Sequence, residues 1–140
     1  MRISLDDYLM GRDELYPDEF TDEILGNAAE TLKKVNALLA VMEAEKVPFE
    51  AHPKNHSLVA SGWRPPQINS QVKGAAPRSK HMTGQAVDLY DPEGSLDQFC
   101  LEHQDSLAAI GLWMEHPLAT KGWCHLQSVP PRSSMRVFYP

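Results

Sequence analysis

The chain has 140 residues, 42% of them hydrophobic and 23% charged, which suits one domain with one core and excludes a wholly disordered chain. A formal net charge of −6 excludes the basic footprint of a nucleic-acid binder. No apolar run approaches the roughly 18 residues that cross a bilayer, so no membrane insertion is expected.

The N-terminus, Met1 to Asp7, carries no hydrophobic signal core, so the expected product is soluble and cytoplasmic as synthesised. The first twenty residues read as irregular, with Pro17 and many acids. Those acids (Asp6, Asp7, Asp13, Glu14, Asp18, Glu19, Asp22 and Glu23) read as solvated surface and helix N-terminus. From about Asp22 to Glu45, Ile24, Leu25, Ala28, Leu32, Val35, Leu38, Leu39 and Met42 recur at three- and four-residue steps. That is a long helix, with Thr21 as its N-cap and Pro48 beyond its end. Its apolar stripe is expected to pack on a sheet.

A loop with His52, Pro53 and His56 follows, and Leu58–Trp63 reads as a short strand. Pro66–Val72 fits a short helix with Pro in its first turn, and Lys73–Lys80 a loop. Ala86–Tyr90 reads as a buried strand, and Asp91-Pro92-Glu93-Gly94 as a turn. Ser95 is placed to cap a helix reaching about Ala109. Strands are expected near Leu112–Glu115 and Trp123–Gln127, joined by a hairpin loop through His116-Pro117 and Lys121-Gly122. The tail suggests an extended or covering strand near Val137-Phe138. Together these elements give an α+β fold, with a small antiparallel sheet and helices on one side. Cys100 and Cys124 make no disulfide framework and are expected as reduced, buried thiols.

His81, Asp88 and His125 carry the chemistry. Two imidazoles and a carboxylate with an open fourth position form a catalytic zinc set. His81 ends a flexible loop, Thr83-Gly84-Gln85 turns the chain, and Asp88 lies in the next strand. Period-two alternation places Trp123, His125 and Gln127 on one face, and Cys124 and Leu126 on the other. On spacing alone, a surface His with a capping or salt-bridged Asp fits as well.

The context narrows that choice. Ser61-Gly62-Trp63-Arg64-Pro65-Pro66, then Ser79-Lys80-His81-Met82-Thr83-Gly84-Gln85-Ala86-Val87-Asp88, then Trp123-Cys124-His125 resembles the zinc D-alanyl-D-alanine peptidases. That family includes D,D-carboxypeptidases, D,D-dipeptidases and phage L-alanyl-D-glutamate endolysins. The resemblance runs from about Ser61 to Gln127, roughly half the chain, inside a single expected domain of 1–140 whose motif-bearing core is about 58–128.

The resemblance implies a Hedgehog/D,D-peptidase-like fold, with one zinc ion on His81, Asp88 and His125. It implies that Arg64 bonds a substrate carboxylate or carbonyl through its planar fork, and that Ser79 bonds the substrate beside the metal. Without it, Arg64 reads as a salt-bridge partner and Ser79 as a turn residue. Gly84 suits a position needing positive φ or close approach. Several family members carry an acid three residues before the last histidine, where this chain has Gly122. Glu115, in the preceding strand, is the expected general base, and His116 the second candidate, as base or oxyanion stabiliser.

The implied activity is metal-assisted hydrolysis of D-amino-acid peptide bonds in a peptidoglycan stem peptide or precursor, by a monomer. The competing readings are a non-catalytic zinc-stabilised binding module and a metal-free structural phage protein. A phage-type lysin would need separate release to reach the wall.

Overall fold

Thr21 opens the longest helix. Its hydroxyl accepts from the backbone N–H of Ile24 at 3.2 Å, Asp22 and Glu23 occupy the first turn, and α3 runs Asp22–Ala44. This computed structural model describes residues 2–140; Met1, the first residue of the expected domain, lies outside the described residues. α3 buries Ala28, Thr31, Leu32, Val35, Leu38, Leu39 and Met42, a stripe at three- and four-residue steps. Leu25 falls off that stripe and is 39% exposed.

The N-terminal segment is not irregular. It folds as α1 (Leu5–Leu9), α2 (Arg12–Leu15) and a 3₁₀ turn over Pro17–Glu19. Ser4 and Asp7 form a reciprocal capping box: the Asp7 N–H donates to Ser4 Oγ at 3.0 Å, and the Ser4 N–H to Asp7 Oδ2 at 2.9 Å. Asn36 of α3 grips the backbone of Ile3 in both directions, at 2.9 and 3.0 Å. Tyr8 and Leu9 enter the core. The early acids thus start helices, and Pro17 begins a turn instead of breaking structure.

The sheet holds β1 (Val59–Ser61), β2 (Ala86–Asp91), β3 (Trp113–Glu115), β4 (Gly122–Gln127) and β5 (Val137–Phe138), in the order β1-β2-β4-β3-β5. Its pairs are antiparallel except β3–β5, which is parallel because the tail returns beside β3 in the same direction. The fold is therefore α+β with a mixed, mostly antiparallel sheet. The short α4 (Pro66–Asn69) follows β1.

One long helix was expected from Ser95, but two are present: α5 (Ser95–Glu102) and α6 (Gln104–Ile110). The break falls at His103, whose backbone leaves the helical region (φ −127°, ψ 48°) while its ring nitrogen Nδ1 donates to the Phe99 carbonyl at 2.8 Å. Ser95 is not the cap. Asp91 reaches forward from β2, and its two oxygens accept from the N–H groups of Leu96 (3.0 Å) and Asp97 (2.9 Å).

Val87 and Leu89 of β2, Cys124 and Leu126 of β4, and Met114 of β3 join the α3 stripe in one core. Each fully buried leucine contributes roughly 1.5–3 kcal/mol. Strand alternation then turns Asp88, His125 and Gln127 to the opposite face. Among the described residues, no helix is long and apolar enough to cross a membrane.

Candidate metal centre

Asp88 and His125 are direct partners in the β2–β4 ladder, so their side chains rise from the same face. His125 Nδ1 lies 2.9 Å from Asp88 Oδ1. His81 arrives from the preceding loop, which α3 fastens: Asn27 Nδ2 donates to the Thr83 carbonyl at 2.9 Å, and Thr31 Oγ1 to the Gly84 carbonyl at 2.8 Å. Gly84 has φ +78°, and a Cβ there would sit 2.9 Å from the Ile24 carbonyl oxygen. Both the turn and the close approach to α3 therefore require glycine.

The Ser61–Arg64 motif braces His81 from the other side. His81 Nδ1 donates to the Gly62 carbonyl at 2.8 Å, the Arg64 N–H to the His81 carbonyl at 3.0 Å, and the Trp63 indole to the Met82 carbonyl at 3.0 Å. Gly62 passes so close to α1 that a Cβ would meet the Tyr8 carbonyl oxygen at 1.9 Å. These contacts turn His81 Nε2 toward Asp88 Oδ1, 3.3 Å away.

The donor atoms of His81, Asp88 and His125 all lie within 4.8 Å of one another, so the cluster is able to hold a metal ion. The residues fit such an ion. Among the described residues, His81 Nε2 is buried with Asp88 Oδ1 at 3.3 Å as its facing acceptor and no hydrogen bond made, a state that a metal ion would relieve. Burial opposes the charge of Asp88, but the imidazoles of His81 and His125 outweigh it and hold the carboxyl well below its usual range. Burial likewise opposes the His125 imidazolium, yet its hydrogen bond to Asp88 and the Asp88 and Glu115 charges raise its pKa to about 8. Two imidazoles and one carboxylate match the three protein ligands of a catalytic zinc site.

Arg64 is 8% exposed, and among the described residues no acid pairs with it. Its Nη2 donates to Ser79 Oγ at 3.2 Å, and its Nε has no partner. Burial lowers its pKa, opposed by the charges of Asp88 and Glu115. Ser79 Oγ also accepts from the His81 N–H at 3.2 Å, so it touches both residues.

The β3–β4 ladder pairs Trp113 with Gln127 and Met114 with Leu126. One step further, Glu115 Oε1 stands 3.8 Å from His125 Nε2. Burial raises the Glu115 pKa, opposed chiefly by His125. His116 points elsewhere: its Nδ1 accepts from the Leu118 N–H at 3.1 Å and its ring stacks on Tyr139 at 4.7 Å. Among the described residues, no hydrogen bond, ion pair or ring contact joins His116 to His81, Asp88 or His125. Gly122 has φ +103° and starts β4.

Three participants escape sequence reasoning. Gln127 accepts from His125 Nε2 at 2.9 Å, Phe138 of the tail sets its ring edge-on to His125 at 6.1 Å, and the Gly62 carbonyl orients His81. Alternation had put Gln127 on the right face, but contact with a ring nitrogen depends on rotamers. Cys100 and Cys124 are both free, buried and mutually adjacent: hydrogen bonding with Cys100, and then burial, pushes the Cys124 thiol up. Cys124 lies on the core side of β4, away from the face that carries Asp88 and His125.

An α+β fold that gathers His81, Asp88 and His125 near a buried Arg64 is consistent with the peptidases that the sequence motifs resemble. The Peptidase M15 family model matches residues 14–115, more than half of the chain, and the chain belongs to that family, the zinc D-alanyl-D-alanine carboxypeptidase and endolysin type. The match takes in Arg64, Ser79, His81, Asp88 and Glu115. His125 lies beyond it and is brought to the site by the β2–β4 ladder. No curated protein and no solved structure matches the chain.

Proposed function

We propose that this protein is a zinc-dependent peptidase that hydrolyses D-amino-acid-containing bonds of bacterial peptidoglycan, as a stem-peptide endopeptidase or a D,D-carboxypeptidase. The observation that carries this is the convergence of His81, Asp88 and His125 donor atoms within 4.8 Å in an M15 family member. A bound zinc ion supplies Lewis acidity to an amide carbonyl and acidifies a water toward a pKa of ~7.

The chain's own residues do the rest. Glu115 takes the proton from the attacking water and passes it to the leaving amine; its raised pKa makes it a stronger base than an exposed carboxylate. Arg64 bonds a substrate carboxylate or carbonyl through its guanidinium, which Ser79 Oγ holds in place at 3.2 Å. His116 is the alternative base, and to serve it would leave its stack on Tyr139.

The test is to incubate zinc-loaded protein with bacterial peptidoglycan and read the released fragments by mass spectrometry. New amines at L-Ala–D-Glu or D-Ala bonds, abolished by chelator and restored by zinc, are expected. Cleavage that survives complete metal removal would overturn the proposal.

A further inference from the structure

The two ring nitrogens of His125 face different partners. Nδ1 faces Asp88 Oδ1 at 2.9 Å, while Nε2 faces Gln127 Oε1 at 2.9 Å and Glu115 Oε1 at 3.8 Å. The Gln127 amide cannot be turned the other way, because its Nε2 donates to the Val129 carbonyl at 2.9 Å and a carbonyl oxygen only accepts. Its Oε1 is therefore fixed as the acceptor, and the His125 nitrogen opposite it must carry hydrogen. Gln127 is 4% exposed, so water does not compete freely for that bond.

The segment that holds Gln127 is itself tied down. The Ser128 N–H donates to the Gln85 carbonyl at 3.0 Å, and Ser128 Oγ lies 2.9 Å from Thr31 Oγ1 on α3. Thr31 also binds the Gly84 carbonyl at 2.8 Å. The same helix residue thus anchors the turn leading to Asp88 and the segment following His125.

From this we infer that Gln127 is the positioning residue of the metal centre: it keeps hydrogen on His125 Nε2, presents Nδ1 as the ligand atom, and leaves the Glu115 carboxylate uncommitted. This rests on the zinc-peptidase reading and adds a division of labour to it. Two acceptors lie near one N–H, and the 2.9 Å contact holds it while the 3.8 Å contact is beyond hydrogen-bond length. Were Glu115 the acceptor, the hydrogen bond would stabilise its charged form and make it a weaker base. His81 is set the opposite way, with Nδ1 bonded to the Gly62 carbonyl and Nε2 toward the cluster, so each histidine has a dedicated outer partner.

The test uses the whole chain and zinc affinity, measured by competition with a chromophoric chelator, together with ¹H–¹⁵N spectra of the zinc-loaded protein. Gln127→Met keeps the volume but removes the acceptor, and is expected to weaken zinc binding about 10–100-fold. Gln127→Glu restores an acceptor and is expected to recover much of that loss. Glu115→Gln is expected to leave zinc affinity within about threefold, since it does not hold the ring. The spectra should show His125 hydrogen on Nε2 and metal on Nδ1, a readout in wild type that does not depend on any variant folding. Metal on His125 Nε2, or unchanged affinity in Gln127→Met, overturns the inference while leaving the peptidase reading intact. A wild-type protein that binds no zinc overturns both.

Discussion

Asp88 and His125 face each other across the β2–β4 ladder, and their side chains meet at 2.9 Å. This pair has a built-in register: moving either strand by one residue would turn that strand's own side chain into the core and separate the two. Asp88→Asn keeps the shape but removes the charge that two imidazoles stabilise. Zinc affinity should fall by more than the about 10–100-fold typical of losing an outer partner. Metal analysis after dialysis against a weak chelator checks it, and retained stoichiometric zinc in Asp88→Asn would remove it from the ligand set.

Glu115→Gln separates chemistry from binding. Loss of a positioned general base costs about 10²–10⁴ in rate. The variant should bind zinc normally and turn over peptidoglycan fragments in that proportion more slowly. Wild-type turnover in this variant would transfer the role to His116 and be checked by His116→Ala.

Arg64 is a buried cation without a carboxylate partner among the described residues, so its removal should affect substrate more than stability. Arg64→Met is expected to reduce kcat/KM by about 10–100-fold, the worth of one charged hydrogen bond of roughly 1.5–3 kcal/mol. Its urea midpoint should match or exceed wild type, because an uncompensated buried charge has gone. A large loss of stability with unchanged kcat/KM would mark Arg64 as structural.

Gly62→Ala tests the brace behind His81. The new Cβ would meet the Tyr8 carbonyl oxygen at 1.9 Å, so α1 or the Gly62 carbonyl must move. Overpacking of this kind costs about 1–3 kcal/mol. Zinc affinity should fall as well, since that carbonyl orients His81. Thermal unfolding and chelator competition on the same sample would show both effects; a variant as stable as wild type would mean that the approach of α1 is soft.

Asp97, which is not one of the three cluster residues, gives the protein a pH dependence of its own. It is 3% exposed, and its Oδ2 accepts from Thr120 Oγ1 at 2.8 Å. Burial raises its pKa to about 6, opposed by hydrogen bonds from Thr120 and Cys124. The unfolded value is near 3.9. Between these values the folded state holds a proton that the unfolded state has lost, so this group's contribution falls as pH rises from about 4 to 6, by at most about 3 kcal/mol. Asp97→Asn keeps an acceptor for Thr120 without the charge. It should be more stable than wild type at pH 7, with the difference shrinking toward zero below pH 4. Urea unfolding at four pH values measures this, and a difference independent of pH would contradict the assignment.

The sequence by itself determined the elements with strong local signals. The α3 stripe and its Thr21 cap are set by side-chain periodicity and one hydroxyl, and the strands carrying Asp88 and His125 by alternation and flanking turns. It also marked Arg64, Ser79, His81, Asp88 and His125, because their ordered motifs lie in short stretches of chain, and Glu115 by its place in the strand before His125. What the sequence left open depends on contacts between distant residues. The N-terminal helices depend on Asn36 and on burial of Tyr8 and Leu9; the cap of α5 comes from Asp91, and the helix ends early at His103. Tertiary structure also turned His116 onto Tyr139 and set Glu115 beside His125. It alone decided which nitrogen of each histidine faces Asp88, because a ring's orientation is fixed by the acceptor on its far side, and Gly62 and Gln127 reach those positions only once the chain has folded.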